Sequence, residues 1–183
     1  MKMKKSIKIV LIILVIIGLI MGGVYLYIFK ALSLKKKLGK WEAVSSVGSG
    51  KLPWINFYWA PNKKAMLLPV KIEDLPGEFC FQFDIGANLS MVYGNTLKPF
   101  YDYYPVIRKK FNTLLFRNDT IQYLSDLHLK IDSVSYISPA VGIRRHFGDL
   151  VAPDAVSAKR LPNDMGTIGV DFCKNKVLII DYP

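Results

Sequence analysis

Acidic side chains are scarce in this chain of 183 residues, and its first 40 positions hold none. Those positions carry nine lysines, which leaves 16 basic against 14 acidic residues in the remainder. The formal charge of +11 is thus a property of one end. Lysines in that setting meet anionic headgroups, and no nucleic acid is expected as a partner. Two further basic patches, Arg108-Lys109-Lys110 and Arg144-Arg145, read as solvated faces. Cysteine is equally sparse: Cys80 and Cys173 are far apart, no Cys-x-x-Cys occurs, and His128 and His146 are isolated. These spacings exclude the usual structural zinc motifs, so neither metal nor cofactor is expected. The two thiols either stay free or, outside the cytoplasm, pair with each other. No internal repeat and no low-complexity tract occurs.

What the chain has in abundance is apolar residues near its start. After a basic N-terminus at 1–8, residues 9–29 run IVLIILVIIGLIMGGVYLYIF without a charge. As a helix, such a run spans about 30 Å, the hydrocarbon thickness of a bilayer. A cleaved signal peptide has a shorter apolar region and a small-residue cleavage site. Here Tyr25, Tyr27 and Phe29 are bulky, and the tyrosines suit an interfacial aromatic belt. Residues 9–29 are therefore expected to be a single-pass transmembrane helix acting as an uncleaved signal anchor, with the lipid bilayer as partner. Lys2, Lys4, Lys5 and Lys8 precede the run, and Lys30, Lys35, Lys36, Lys37 and Lys40 follow it. That is nearly a tie under the positive-inside rule. The short basic N-terminus before the first apolar run favours an extracytoplasmic domain.

Residues 30–63 read as a stalk: KALSLKKKLGKWEAV can extend the helix, and SSVGSG is a flexible break. Trp41, Trp54 and Trp59 fall in this part. They either meet the membrane interface or pack at the domain edge. From residue 64 to 183 the pattern changes to strands. AMLLPVKI and EFCFQFD flank DLPGE, where Pro76 and Gly77 fit the two central positions of a type II turn. Pro99 and Pro105 argue against one long helix over 96–111. NTLLF, TIQYL, LHLKI and SVSYI follow as short strands separated by turn residues. Residues 149–163 read as a loop, and VLIIDY as a closing strand. The expectation is a mainly β domain, a sandwich or barrel.

The hairpin leads directly into FQFDIGANLS, residues 81–90. Asp84 stands where a strand gives way to a turn, a position that serves either chemistry or an ordinary Asx-turn. Gly86 suits a tight turn, and Asn88 reads as a turn-stabilising residue. FQFDIGANLSMVYG, followed about 80 residues later by GTIGVDFCKNKVLIIDYP, resembles the retropepsin-like aspartic proteases of the pepsin superfamily. Their hallmark is an apolar strand, Asp-Thr/Ser-Gly-Ala/Ser, then an apolar β run. A later apolar-apolar-Gly strand passes beside that loop and is followed by a short helix and a final strand. Here Thr167-Ile168-Gly169, then Val170-Asp171-Phe172, then Val177 to Asp181 stand in those places.

The resemblance covers about residues 64–183 and implies a single-lobe acid-protease β-barrel working as a homodimeric endopeptidase. Asp84 would be the catalytic carboxylate, Ile85, Gly86, Ala87 and Asn88 its active-site loop, and Thr167, Ile168 and Gly169 a supporting fold motif. A lobe with one such motif needs a symmetric partner to bring two carboxylates together. One would take a proton from water, and the other would donate to the carbonyl oxygen of a peptide substrate. The alternative is a catalytically inactive module of the same fold, used for dimerisation or for binding peptides and proteins at the membrane. Ile85 marks a departure, since the family carries Thr or Ser there, and isoleucine has no hydroxyl to bond across a dimer. The hairpin that closes over substrate in this family has its nearest candidate at 139–148, PAVGIRRHFG. Asp164-Met165-Gly166 repeats the Asp-x-Gly spelling without a preceding strand. Asp171 reads as a helix N-terminal residue, and Asp181 as structural.

Overall fold

The computed structural model describes residues 2–44, 55–60, 65–116, 119–150, 164–174 and 179–180. The chain divides into two compact units, Met1–Lys36 and Lys37–Pro183. The first is a single helix, α1 (Lys2–Lys37). Its stretch Ile7–Lys37 is long and apolar enough to cross a membrane. The helix runs eight residues past the apolar run, because ALSLKKK contains no Gly or Pro to stop it; the chain turns only at Gly39, with φ at 73°.

The second unit is mainly β. Its elements are β1 (Glu42–Ala43), β2 (Tyr58–Trp59), β3 (Met66–Ile72), β4 (Phe79–Phe83), β5 (Met91–Tyr93), the short helices α2 (Gly94–Leu97), α3 (Phe100–Tyr103) and α4 (Pro105–Lys110), then β6 (Phe111–Phe116), β7 (Asp119–Ile131), β8 (Val134–Arg144), β9 (Gly166–Ile168) and a 3-10 turn, Val170–Cys173. Six strands close on themselves in the order β8-β5-β9-β4-β3-β7, with β7 pairing back to β8. The result is a six-stranded barrel. β1, β2 and β6 add to the free edges of β8, β3 and β7.

Alternation along the strands explains the inside of the barrel. Leu68, Val70 and Ile72 of β3, Phe79 and Phe81 of β4, and Leu127, Leu129 and Ile131 of β7 are buried, and the residues between them face outward. Phe100 of α3 and Ile107 of α4 are fully buried and join the same core. Phe100 meets Phe79 edge-on at 5.6 Å. The hairpin from β3 to β4 pairs Met66 with Phe83 and Val70 with Phe79, and Gly77 takes the positive φ of 90° that its turn requires.

Several elements differ from the sequence reading. TIQYL and LHLKI belong to one strand, β7. Asp126, at φ 48°, lies between the pairs Ser125↔Ala140 and Leu127↔Ser138 and faces Pro139, which has no N–H to give. Gly94-Asn95, a pair whose residue types favour turns, opens α2. Parts of the expected stalk are built into the sheet: β1 and β2 are two residues each, and their pairing with β8 and β3 makes them strands. Trp59 is on β2, Trp41 packs edge-on against Phe172 at 5.5 Å, and Trp54 lies outside the described residues. The 149–163 loop beyond Leu150 is also outside, as is the closing strand apart from Ile179 and Ile180. Cys80 and Cys173 are not disulfide-bonded to each other.

Candidate active site

β4 delivers Asp84 to the end of the barrel. The Asp84 N–H donates to the carbonyl of Ile168 at 3.0 Å, which extends the parallel ladder of β4 and β9 by one bond. The chain then turns: the Ala87 N–H donates to the Asp84 carbonyl at 3.1 Å, and the Gly86 N–H donates to Asp84 Oδ1 at 2.8 Å. Gly86 is not in the left-handed region, so the reason for glycine is spatial. A Cβ there would lie 3.2 Å from Asp84 Oδ1, crowding the carboxylate that the amide orients. Asp84 is half-buried, whereas Ile85, Gly86 and Asn88 are exposed. Ile85 is 69% exposed at the tip of the turn.

β9 lies between β4 and β5, parallel to the first and antiparallel to the second. The two arms flanking the Asp84 turn are therefore held apart by the strand that ends in Thr167-Ile168-Gly169. The fit is close at Gly169, where a Cβ would lie 2.6 Å from the Ala87 carbonyl oxygen and 2.9 Å from the Leu89 carbonyl carbon. Both are backbone atoms that cannot swing away. The Val170 N–H donates to the Ala87 carbonyl at 2.9 Å, fixing the far side of the turn. The structure thus gathers Asp84, Ala87, Ile168 and Gly169 into one contact set. Ile168 is fully buried and serves the core. Thr167 faces the other way, its hydroxyl 2.6 Å from Tyr93 Oη.

A buried polar knot lies beneath the turn. Asp171 is 7% exposed. Its Oδ1 accepts from the Ser90 N–H at 2.8 Å and the Ser90 hydroxyl at 2.7 Å, and its Oδ2 accepts from Trp41 Nε1–H at 3.1 Å. Ser90 Oγ in turn accepts from the Gly169 N–H at 3.0 Å. Asp171 does sit in the first turn of a short helix, but its carboxylate serves Ser90 and Trp41. Its partners are 81 and 130 residues away in sequence, and no local pattern announces them.

Asp164 lies two residues ahead of β9. Burial pushes its carboxyl up to about 6, opposed by a hydrogen bond from the Gly166 backbone and reinforced by Asp149. Its Oδ1 is enclosed and has no hydrogen-bond partner among the described residues. Burial likewise raises the Tyr93 phenol; the bond to Thr167 opposes the shift, and the charges of Asp164 and Asp84 add to it. A cavity of about 380 Å³ adjoins the loop, lined in part by Leu89, Met91, Thr120, Gln122 and Arg144. A larger one, about 620 Å³, lies against Lys71, Glu73, His128 and Lys130 and contains none of the residues expected at the site. Residues 139–148 form no hairpin: Pro139 to Arg144 belong to β8, and His146 and Gly148 then turn the chain at φ 57° and 84°.

No family model matches the chain, and no curated protein or solved structure matches it.

Proposed function

We propose that the protein is a membrane-anchored aspartic-type endopeptidase of retropepsin-like design, active as a homodimer. α1 crosses the bilayer with its N-terminus inside, and the barrel works outside. Asp84 from each chain meets on a two-fold axis, where one carboxylate takes a proton from the attacking water and the other donates to the peptide carbonyl oxygen. The observation that carries this reading is the seating of Asp84. It ends a barrel strand, its carboxylate takes an amide hydrogen bond across Gly86, and the strand Thr167-Ile168-Gly169 fixes its backbone. Tethering both chains in one membrane raises their effective concentration and favours pairing. In this reading a substrate would lie along the cavity that Leu89 and Met91 share with Thr120 and Gln122.

One observation favours the alternative of an inactive module for dimerisation or peptide binding. Ile85 projects from the tip of the turn with no hydroxyl to clasp a partner loop. A missing hydrogen bond costs about 0.5–1.5 kcal/mol, counted once per chain, and apolar contact between two isoleucines offsets part of it. The test is cleavage of a mixed peptide library by the full chain in lipid nanodiscs, with Asp84→Asn beside it. The peptidase reading expects cleavage that the variant abolishes. A demonstrably dimeric full chain that cleaves nothing supports the inactive module.

A further inference from the structure

The segment that follows the membrane helix is part of the candidate site. Leu38 bridges to Ala140 of β8, Ala43 pairs with Tyr136, and the Val44 N–H donates to the Ser135 carbonyl at 2.8 Å. Between these anchor points the strap passes against the underside of the Asp84 loop. Gly39 is in the left-handed region, and a Cβ on it would lie 2.7 Å from Leu89 Cδ2 and 3.3 Å from Asp171 Cβ. Only glycine makes this approach without strain. Two residues later the Trp41 ring packs edge-on against Phe172, and its indole N–H reaches Asp171 Oδ2.

We infer that Trp41 is a positioning residue for the Asp84 loop and that the juxtamembrane strap Leu38–Val44 sets that loop through it. The relay is continuous: the Trp41 indole donates to Asp171, Asp171 holds Ser90 by backbone and hydroxyl, and Ser90 holds the Gly169 amide. Gly169 lies against Ala87 and Leu89, and the preceding residue's carbonyl carries the Asp84 amide. Asp171 is buried, and the closer a carboxylate lies to the interior the larger the asymmetry between a made and an unmade bond. Trp41 is four residues past the end of α1 in the chain, so a partner that pulled or covered the strap would act on the loop without touching Asp84. The consequence for activity rests on the peptidase reading; the coupling of strap to loop does not.

Trp41→Phe in the full chain, reconstituted in nanodiscs, tests it by amide hydrogen exchange. Phenylalanine keeps a ring against Phe172 and removes only the indole donor. The Ser90 and Gly169 amides should exchange about tenfold faster, the equivalent of one buried hydrogen bond to a charged group, with β7 and β8 amides unchanged. Unchanged Ser90 and Gly169, or a rise spread evenly over β7 and β8, overturns the inference. If the variant does not fold, the native chain answers instead. As urea is raised, the Trp41 indole N–H and the Ser90 and Gly169 amides should open together. An indole that exchanges while those amides stay protected overturns it. If the native chain cleaves peptide, Trp41→Phe should lower kcat and leave KM in place. If a demonstrably dimeric native chain cleaves nothing and the exchange result holds, the strap stands and the peptidase reading falls.

Discussion

At the scale of single residues, the positions of the loop and of the strand beside it can be tested one at a time. Gly169→Ala drives a Cβ into the Ala87 carbonyl oxygen, 2.6 Å away. Overpacking of this kind costs about 1–3 kcal/mol, so the unfolding midpoint in urea should fall. Ile85 is mostly solvent-exposed, so Ile85→Thr should leave stability within about 0.5 kcal/mol. The same variant should raise peptidase activity if a cross-dimer hydroxyl bond is what the native loop lacks; an inactive module gains nothing. Asp164 gives a pH signature. Its folded carboxyl is raised to about 6 by burial, so over the range from about 4 to 6 the native state binds more protons than the unfolded chain. Stability is therefore present below that range and lost as pH rises through it. Because the group keeps some solvent access, the loss is on the order of 1 kcal/mol. Denaturation of Asp164→Asn across pH 4 to 7 should lack this slope.

At the scale of elements, periodicity made the long strands legible and tertiary pairing hid the short ones. The alternation of Phe79, Phe81 and Phe83 around Cys80 and Gln82 marks β4 in the sequence, and the type II turn before it places β3. β1 and β2, two residues each, carry no period at all. They are strands because β8 and β3 offer free edges beside them. Asp84 was legible from its place at a strand end, but Ser90, Tyr93 and Trp41 were not. Their roles depend on partners brought up by β9 and the turn after it. The pairing of β7 with β8 runs through nine residue pairs and ends at Ile131↔Val134. Leu129–Ile131, paired with β8 on one side and with β3 on the other, should hold the slowest-exchanging amides of the domain. Leu127→Ala, which empties a fully buried position on this ladder, should cost about 2–5 kcal/mol.

At the scale of the whole molecule, the chain comprises a helix able to cross a membrane and a six-stranded barrel. The boundary between compact units falls at Lys36 and Lys37, ahead of the strap rather than after it. Residues 37–183 form a compact unit of their own, so a chain without residues 1–36 should still unfold cooperatively in urea. Removing residues 1–44 takes away Trp41 and β1 and should lower the unfolding midpoint, as measured by urea titration. The proposed peptidase requires two copies at this scale, since each chain would bring one Asp84 to a site that uses two carboxylates. The most direct measurement is peptide cleavage by full-length chains co-reconstituted with increasing fractions of Asp84→Asn at constant total protein. A shared dyad predicts that the rate falls as the square of the native fraction. A rate that falls in simple proportion to that fraction, or cleavage that persists when every chain carries the substitution, would contradict it.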